Sequence, residues 1–101
     1  MNVHVVLFCK ELQYALRADL SCRGYAGGGP DVWLIDGGLL RLPPLRRTVL
    51  EHRGRCAAVS CAEDYYRPEA DKLGIPHILL PDEWDRLLHW LALAAGKEAA
   101  R

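Results

Sequence analysis

The sequence carries no surplus of either charge, since 13 basic and 13 acidic side chains give a formal net charge of zero at pH 7. Without a basic surplus, nothing attracts a phosphate backbone or an anionic bilayer from a distance. The chain also lacks an apolar run of the roughly 20 residues that a bilayer-spanning helix needs. The nearest run, Leu87 to Ala95, contains His89. We therefore expect neither direct nucleic-acid binding nor membrane association.

Two further absences concern the four cysteines, which are Cys9, Cys22, Cys56 and Cys61. No secretory leader is recognisable, because the first apolar run follows no basic segment, so we expect a cytoplasmic protein with reduced thiols. The chain has no Cys-x-x-Cys motif, and none of its four histidines has the spacing of a zinc ligand. We therefore expect no metal and no other cofactor, which leaves thiol chemistry as the leading question.

Half of the 101 residues are apolar, which is enough to form one core in a chain of this length. Apolar runs that do not alternate, as in strands covered on both faces, are interspersed with segments of helical period. The predicted strands are Val3–Cys9, Asp31–Asp36, Arg55–Cys61 and Pro76–Leu80. The predicted helices are Lys10–Cys22, Pro44–Gly54, Ala62–Leu73, and a last helix that is N-capped by Asp82. Pro68 predicts either a kink in the third helix or its division into two short turns. We predict one domain over residues 1–95 and a frayed tail over residues 96–101.

This alternation of strands and helices predicts an α/β fold. Parallel strands need crossover connections, and right-handed crossovers place helices on both faces of a sheet. We therefore predict a three-layer α/β/α sandwich around a mainly parallel sheet of four strands in the order 2-1-3-4. The first strand is expected at the centre because its apolar run, Val3–Cys9, does not alternate.

In an open parallel sheet, a reactive crevice lies beyond the carboxyl ends of the strands. Cys61 ends the predicted third strand and stands at the start of the following helix. A helix N-terminus there would lower the pKa of the thiol from its ordinary value of about 8.5, although Glu63 and Asp64 oppose this effect. The alternative is that Cys61 is a small buried apolar residue.

Cys9 ends the predicted first strand. In the order 2-1-3-4 the first and third strands are neighbours roughly 5 Å apart, so Cys9 and Cys61 would face each other over the crevice. Lys10, the next residue, would then assist either thiolate. Cys9 has the same alternative of burial as a small apolar side chain.

Two other motifs lie near the strand ends. Cys61 and Arg67 fit the Cys-x5-Arg spacing of loops that bind an oxyanion in phosphatases and arsenate reductases, but the residues between them include two carboxylates and no glycine. Asp36, Gly37 and Gly38 end the second strand, where exposed backbone N–H groups could bind a ligand. A strand-ending turn with positive φ at the glycines explains them as well, and we favour it.

Three blocks of the chain stand out together. Asp31–Gly38 is an apolar strand that ends in Asp-Gly, Glu63–Asp64 follows the third strand, and Ile78–Asp85 is a short strand followed by an acidic entry to the last helix. In these blocks the chain resembles the small DsrE/DsrH-like sulfur-relay proteins, and most closely the short DsrH-type (TusB-like) members. The resemblance extends over nearly the whole chain.

The resemblance implies a protein that forms homo- or hetero-oligomers with related small subunits and passes persulfide sulfur between cysteines. In DsrE-type members the sulfur-carrying cysteine ends a central strand, a position that Cys61 matches. In DsrH-type members a cysteine lies in the first helix. The matching position here is Ala15, and Cys22 follows about two turns later.

The expected function is therefore a persulfide carrier or sulfurtransferase that uses Cys61, with Cys9 and Cys22 as further candidates. Its partners would be proteins with donor and acceptor thiols. One alternative is a non-catalytic subunit of a sulfur-relay complex. The other is a rhodanese- or phosphatase-like oxyanion loop formed by Cys61 and Arg67.

Overall fold

The computed structural model describes residues 2–25, 30–61 and 65–99, with side chains through Ala94. In these residues four strands alternate with four helices, as predicted. The strands are β1 (Asn2–Val6), β2 (Asp31–Asp36), β3 (Cys56–Cys61) and β4 (His77–Leu80). The helices are α1 (Lys10–Cys22), α2 (Pro43–Glu51), α3 (Arg67–Leu73) and α4 (Trp84–Ala99). Predictions for residues 26–29, 62–64 and 100–101 lie outside the described residues.

All four strands are parallel, and they lie in the order β1-β2-β3-β4. The predicted order 2-1-3-4 is therefore wrong, because β1 is an edge strand and β2 lies between β1 and β3. The apolar run that indicated a central strand covers two different environments. β1 ends at Val6, so the rest of the run belongs to the turn into α1, and within β1 Val5 is buried whereas His4 is exposed.

The buried core forms two clusters. Helices α1 and α4 contribute to the first, together with residues of all four strands, and helices α2 and α3 contribute to the second. In β2, Val32 and Leu34 belong to the first cluster and Ile35 to the second. Consecutive side chains of a strand point to opposite faces, so the central strands supply both clusters from alternate residues.

Helices α1 and α3 show how local signals fix their ends. α1 has the predicted bounds. α3 ends at the predicted Gly74, whose φ of 75° lies in the left-handed region that favours glycine. α3 begins only at Arg67, so Pro68 lies in its first turn, where a missing N–H breaks no helical hydrogen bond. The predicted kink at Pro68 is therefore wrong, whereas the alternative of two short turns includes residues 62–64, outside the described residues.

Helices α2 and α4 differ from the prediction at their ends. α2 ends at Glu51, and Gly54 lies in a separate 3-10 turn over Arg53–Arg55. α4 follows Glu83 instead of Asp82, since the C=O of Glu83 accepts the first helical hydrogen bond at 3.1 Å. With 16 residues α4 is the longest helix of the described chain, in which no helix is long and apolar enough to cross a bilayer.

Candidate functional site

The carboxyl ends of β2 and β3 and the turn that follows β1 open into a cleft of about 590 Å³. Because the strands are parallel, these ends meet at one edge of the sheet. The cleft is lined by Leu7, Phe8, Cys9, Leu12, Asp36, Gly38, Val59, Ser60, Cys61, Tyr65 and Tyr66. Three predicted site residues, Cys9, Asp36 and Cys61, are thus brought together.

Cys61 also lines a second cavity, an apolar hollow of about 420 Å³ between α1 and the start of α4. The other residues of this apolar hollow are Leu12, Ala15, Leu16, Asp19, Leu80, Pro81 and Trp84. Cys61 and Cys9 are both exposed free cysteines, so the alternative that they are buried apolar residues is wrong. Ala15 lies in the apolar hollow beside Cys61, at the position where the resemblance places a cysteine.

The surroundings of Cys61 disfavour its thiolate. Partial burial raises the pKa of the thiol above its ordinary value, and the Asp36 carboxylate and Cys9 add to the rise. The predicted lowering of this pKa is therefore wrong. Its expected cause was a helix starting directly after Cys61, but α3 begins only at Arg67.

Cys9 lines the cleft from a different place in the fold than predicted. β2 separates β1 from β3, so the two thiols do not face each other across adjacent strands. Cys9 is instead the N-cap residue of α1, and its C=O accepts a hydrogen bond from the Gln13 N–H at 3.0 Å. Cys9 and Cys61 nevertheless line the same cleft, and Cys9 acts electrostatically on Cys61.

The polar wall of the cleft is the carboxylate of Asp36, whose two oxygens are both hydrogen-bonded. Oδ2 accepts from the Phe8 N–H at 3.1 Å, and Oδ1 accepts from the Gly38 N–H at 2.9 Å. The Gly38 N–H is thus used inside the 3-10 turn that follows β2. This arrangement supports the interpretation of Asp36, Gly37 and Gly38 as a strand-ending turn.

A glycine is needed at position 37 because a side chain would not fit there, and not because of the backbone conformation. The expected positive φ is wrong, because in the described chain the glycines with positive φ are Gly24 and Gly74. A Cβ on Gly37 would lie 2.7 Å from Ser60 Oγ and 2.7 Å from Tyr66 Cβ. The missing side chain therefore lets the turn after β2 pack directly against the end of β3.

A buried polar pair behind the cleft is absent from the sequence predictions. Ser60 Oγ and His77 Nε2 are 2.9 Å apart, and both side chains are buried. The pair links β3 to β4 next to Cys61. Each residue is a polar exception in an apolar strand, but the two lie 17 positions apart in the chain, with no local sign that they are partners.

Besides Gly37, three predicted site residues lie outside the cleft lining. Lys10 is the exposed first residue of α1. Cys22 is exposed at the other end of α1, about 18 Å away along the helix axis. Arg67 Nη2 lies 3.4 Å from Glu83 Oε1, which directs the guanidinium toward the start of α4. Residues 62–64 of the Cys-x5-Arg motif lie outside the described part of the chain.

The fourth cysteine belongs to the core. Cys56 is fully buried in the second cluster, and burial raises its pKa to about 11. Its role is therefore packing, since a thiol with this pKa is protonated at neutral pH. Among the described residues, no group of three or more histidine, cysteine, aspartate or glutamate side chains is placed to hold a metal ion.

Comparisons of the chain with protein-family models, with curated proteins and with solved structures found no match. The fold and the site therefore define its class by themselves. It is an α/β protein with four parallel strands in sequential order. The carboxyl edge of its sheet carries two exposed thiols and a hydrogen-bonded carboxylate in one cleft.

Proposed function

We propose that the protein is a sulfur carrier, in which Cys61 accepts sulfane sulfur from the persulfide of a donor protein and passes it to an acceptor thiol. The observation that supports this proposal is the position of Cys61. Its thiol is exposed at the carboxyl edge of the sheet and borders both the cleft and the apolar hollow. These two openings beside one sulfur leave room for a donor and for an acceptor.

The transfer needs only thiols. The Cys61 thiolate attacks the terminal sulfur of the donor persulfide, so a new S–S bond forms on Cys61, the donor's S–S bond breaks, and the donor leaves as a thiolate. The proton released by Cys61 passes to that departing thiolate. An acceptor thiolate then attacks the terminal sulfur on Cys61 in the same way. No external oxidant or reductant is consumed, because the sulfane sulfur moves from one thiol to another.

The raised pKa of Cys61 sets a condition on this chemistry. In the free protein at neutral pH the sulfur is mostly protonated, so it reacts slowly with general electrophiles. A donor that brings a positive group next to Asp36 would lower the pKa of Cys61 and speed the attack. Under this proposal, the carrier is therefore activated by its partner.

The proposal includes membership of the DsrE/DsrH-like sulfur-relay proteins and a three-layer α/β/α arrangement. The three-layer arrangement is supported by the two core clusters, one with α1 and α4 and the other with α2 and α3. Membership rests on the resemblance of Asp31–Gly38, Glu63–Asp64 and Ile78–Asp85. Ala15, which lies beside Cys61 where the resemblance places a cysteine, departs from that pattern. Partners with donor and acceptor thiols, assembly with related small subunits and a cytoplasmic location belong to the same proposal.

Intact-mass measurement after incubation with a persulfide donor tests the proposal. The wild-type protein is expected to gain one sulfur atom and Cys61→Ser to gain none. Cys22→Ser is the matched control, because it removes another exposed thiol far from the cleft, and it is expected to load like the wild type. Equal loading of wild type and Cys61→Ser, or no loading of either, contradicts the proposal.

The raised pKa of Cys61 also favours a second candidate, a non-catalytic subunit that uses the same fold as an interaction surface. Such a subunit has no need of a reactive thiol. Slow alkylation of Cys61 relative to Cys22 in the native protein agrees with both candidates. Slow alkylation combined with failure to accept sulfur supports the non-catalytic subunit alone.

A further inference from the structure

The two edges of the sheet are finished in different ways. At β4, the Leu79 N–H donates to Glu83 Oε1 at 2.7 Å, and the Leu79 C=O accepts from the Glu83 N–H at 2.6 Å. Arg86 Nη1 donates to the C=O of His77 at 2.6 Å. Outward backbone groups of β4 are therefore already bonded to the start of α4. Such covering hinders the addition of another strand at this edge.

At the opposite edge, the outward backbone groups of β1 have no hydrogen-bond partner among the described residues, although Val5 belongs to the first core cluster. The Asn2 N–H donates to the Pro30 C=O at 2.9 Å, which directs the backbone groups of Asn2 and every second residue after it toward β2. The N–H and C=O groups of Val3 and Val5 consequently face away from the sheet. No side chain in the described part of the chain is hydrogen-bonded to them.

The open stretch is short and is bordered by a groove. The next outward group, the Leu7 N–H, donates to Gln13 Oε1 at 3.0 Å, so the open stretch ends there. A groove of about 460 Å³ runs beside β1, with Arg17, Ala18 and Ser21 of α1 among its lining residues. The small side chains of Ala18 and Ser21 leave space for a second chain next to this edge.

We propose that β1 pairs antiparallel with β1 of a second copy of this chain, across a two-fold axis at His4. In this register Val3 lies opposite Val5 of the second copy, and Val5 lies opposite Val3 of the second copy. Each of these two pairs exchanges two N–H···O=C hydrogen bonds, because their backbone groups face outward. The two sheets then form one continuous sheet.

The open groups themselves favour a second copy as the occupant. Among the described residues they belong to Val3 and Val5, and β1 presents the same pair of residues to its copy, as an isologous contact requires. A register centred on Val5 would pair Val3 with Leu7, whose N–H Gln13 already binds. The zero net charge of the chain adds no repulsion between copies.

The contact is expected to be modest in size. A five-residue strand and the neighbouring face of α1 lie at the low end of stable interfaces, which bury about 1,200–2,000 Å² in total. We therefore expect a dimer that dissociates on dilution. The groove beside β1 shares no residue with the cleft of Cys61, so this assembly is independent of the proposed sulfur transfer.

Disulfide cross-linking tests the register. In a background with Cys9→Ser, Cys22→Ser and Cys61→Ser, His4→Cys is expected to form a covalent dimer under mild oxidation. Two copies of residue 4 would be about 4.5 Å apart between Cα atoms, within the range of about 4.4–6.8 Å for disulfides. Asn2→Cys is the matched control on the same face of β1, since its two copies would be about 14 Å apart.

A second variant tests the same register without replacing His4, whose ring stacks on Trp33 and is hydrogen-bonded to Asp31. Asn2→Cys/Val6→Cys in the same background is expected to cross-link in the same register, since residues 2 and 6 lie opposite each other across the two copies. Sedimentation of the wild type should give about twice 11.3 kDa at high protein concentration. A monomer at all concentrations overturns the proposal, as does equal cross-linking of the first two variants.

Discussion

Gly37 lies where the turn after β2, the end of β3 and Tyr66 meet, and Gly37→Ala tests how tightly they pack. The new Cβ would lie 2.7 Å from Ser60 Oγ and 2.7 Å from Tyr66 Cβ. Unstrained contacts between carbon atoms are about 3.5–4.0 Å long, so the neighbours must move by roughly 1 Å. Overpacking of this kind costs about 1–3 kcal/mol. Each kcal/mol lowers the Tm of a domain of this size by about 4–8 °C.

Thermal and urea unfolding followed by circular dichroism measure this loss. Gly54→Ala is the matched control, because a Cβ there meets nothing within 4 Å, and its stability is expected to change by no more than about 0.5 kcal/mol. Gly38→Ala is a nearby control, since its Cβ would be 3.4 Å from the nearest atom, Asp36 Oδ1. Equal Tm values for Gly37→Ala and Gly54→Ala would refute the close packing behind the cleft.

Three other perturbations act on charges and hydrogen bonds. Asp36→Asn removes a negative charge that raises the pKa of Cys61. Iodoacetamide should therefore alkylate Cys61 faster in this variant at neutral pH. An unchanged alkylation rate would count against the electrostatic effect of Asp36. Burial in the folded protein raises the pKa of Cys56 from 9.0 to about 11. The protonated thiol therefore contributes fully to the free energy of unfolding below pH 9, and this contribution is lost as the pH rises through 11. Wild type should therefore lose roughly 2 kcal/mol more than Cys56→Ala over that interval, and parallel pH curves would contradict this. Glu83→Ala leaves the Leu79 N–H without its acceptor and should lower the free energy of unfolding by about 1–3 kcal/mol, which urea unfolding will show or disprove.

Local elements of this fold are predictable because their signals are local. The apolar stripe of α1 and the uninterrupted run of β2 give the observed bounds. Gly74 ends α3 because the chain needs a left-handed residue there. The order of the strands has no such signal, and the apolar content of β1 suggested a central strand although His4 is exposed at an edge.

The site is predictable in position but not in chemistry. Cys61 is the last residue of an apolar strand, and parallel strands place such ends at a crevice. The pKa of Cys61 depends on partial burial, on Asp36 and on Cys9, which come from separate parts of the chain. The pairing of Ser60 with His77 likewise arises only when β3 and β4 come together.

Peptide mapping by mass spectrometry, after incubation of the wild-type protein with a limiting amount of persulfide donor, tests most directly whether Cys61 carries the sulfur. We expect the added sulfur on Cys61, with Cys9 and Cys22 unmodified at the same time points. Sulfur spread evenly over these three exposed thiols, or found on Cys22 in preference to Cys61, would contradict a carrier built around Cys61.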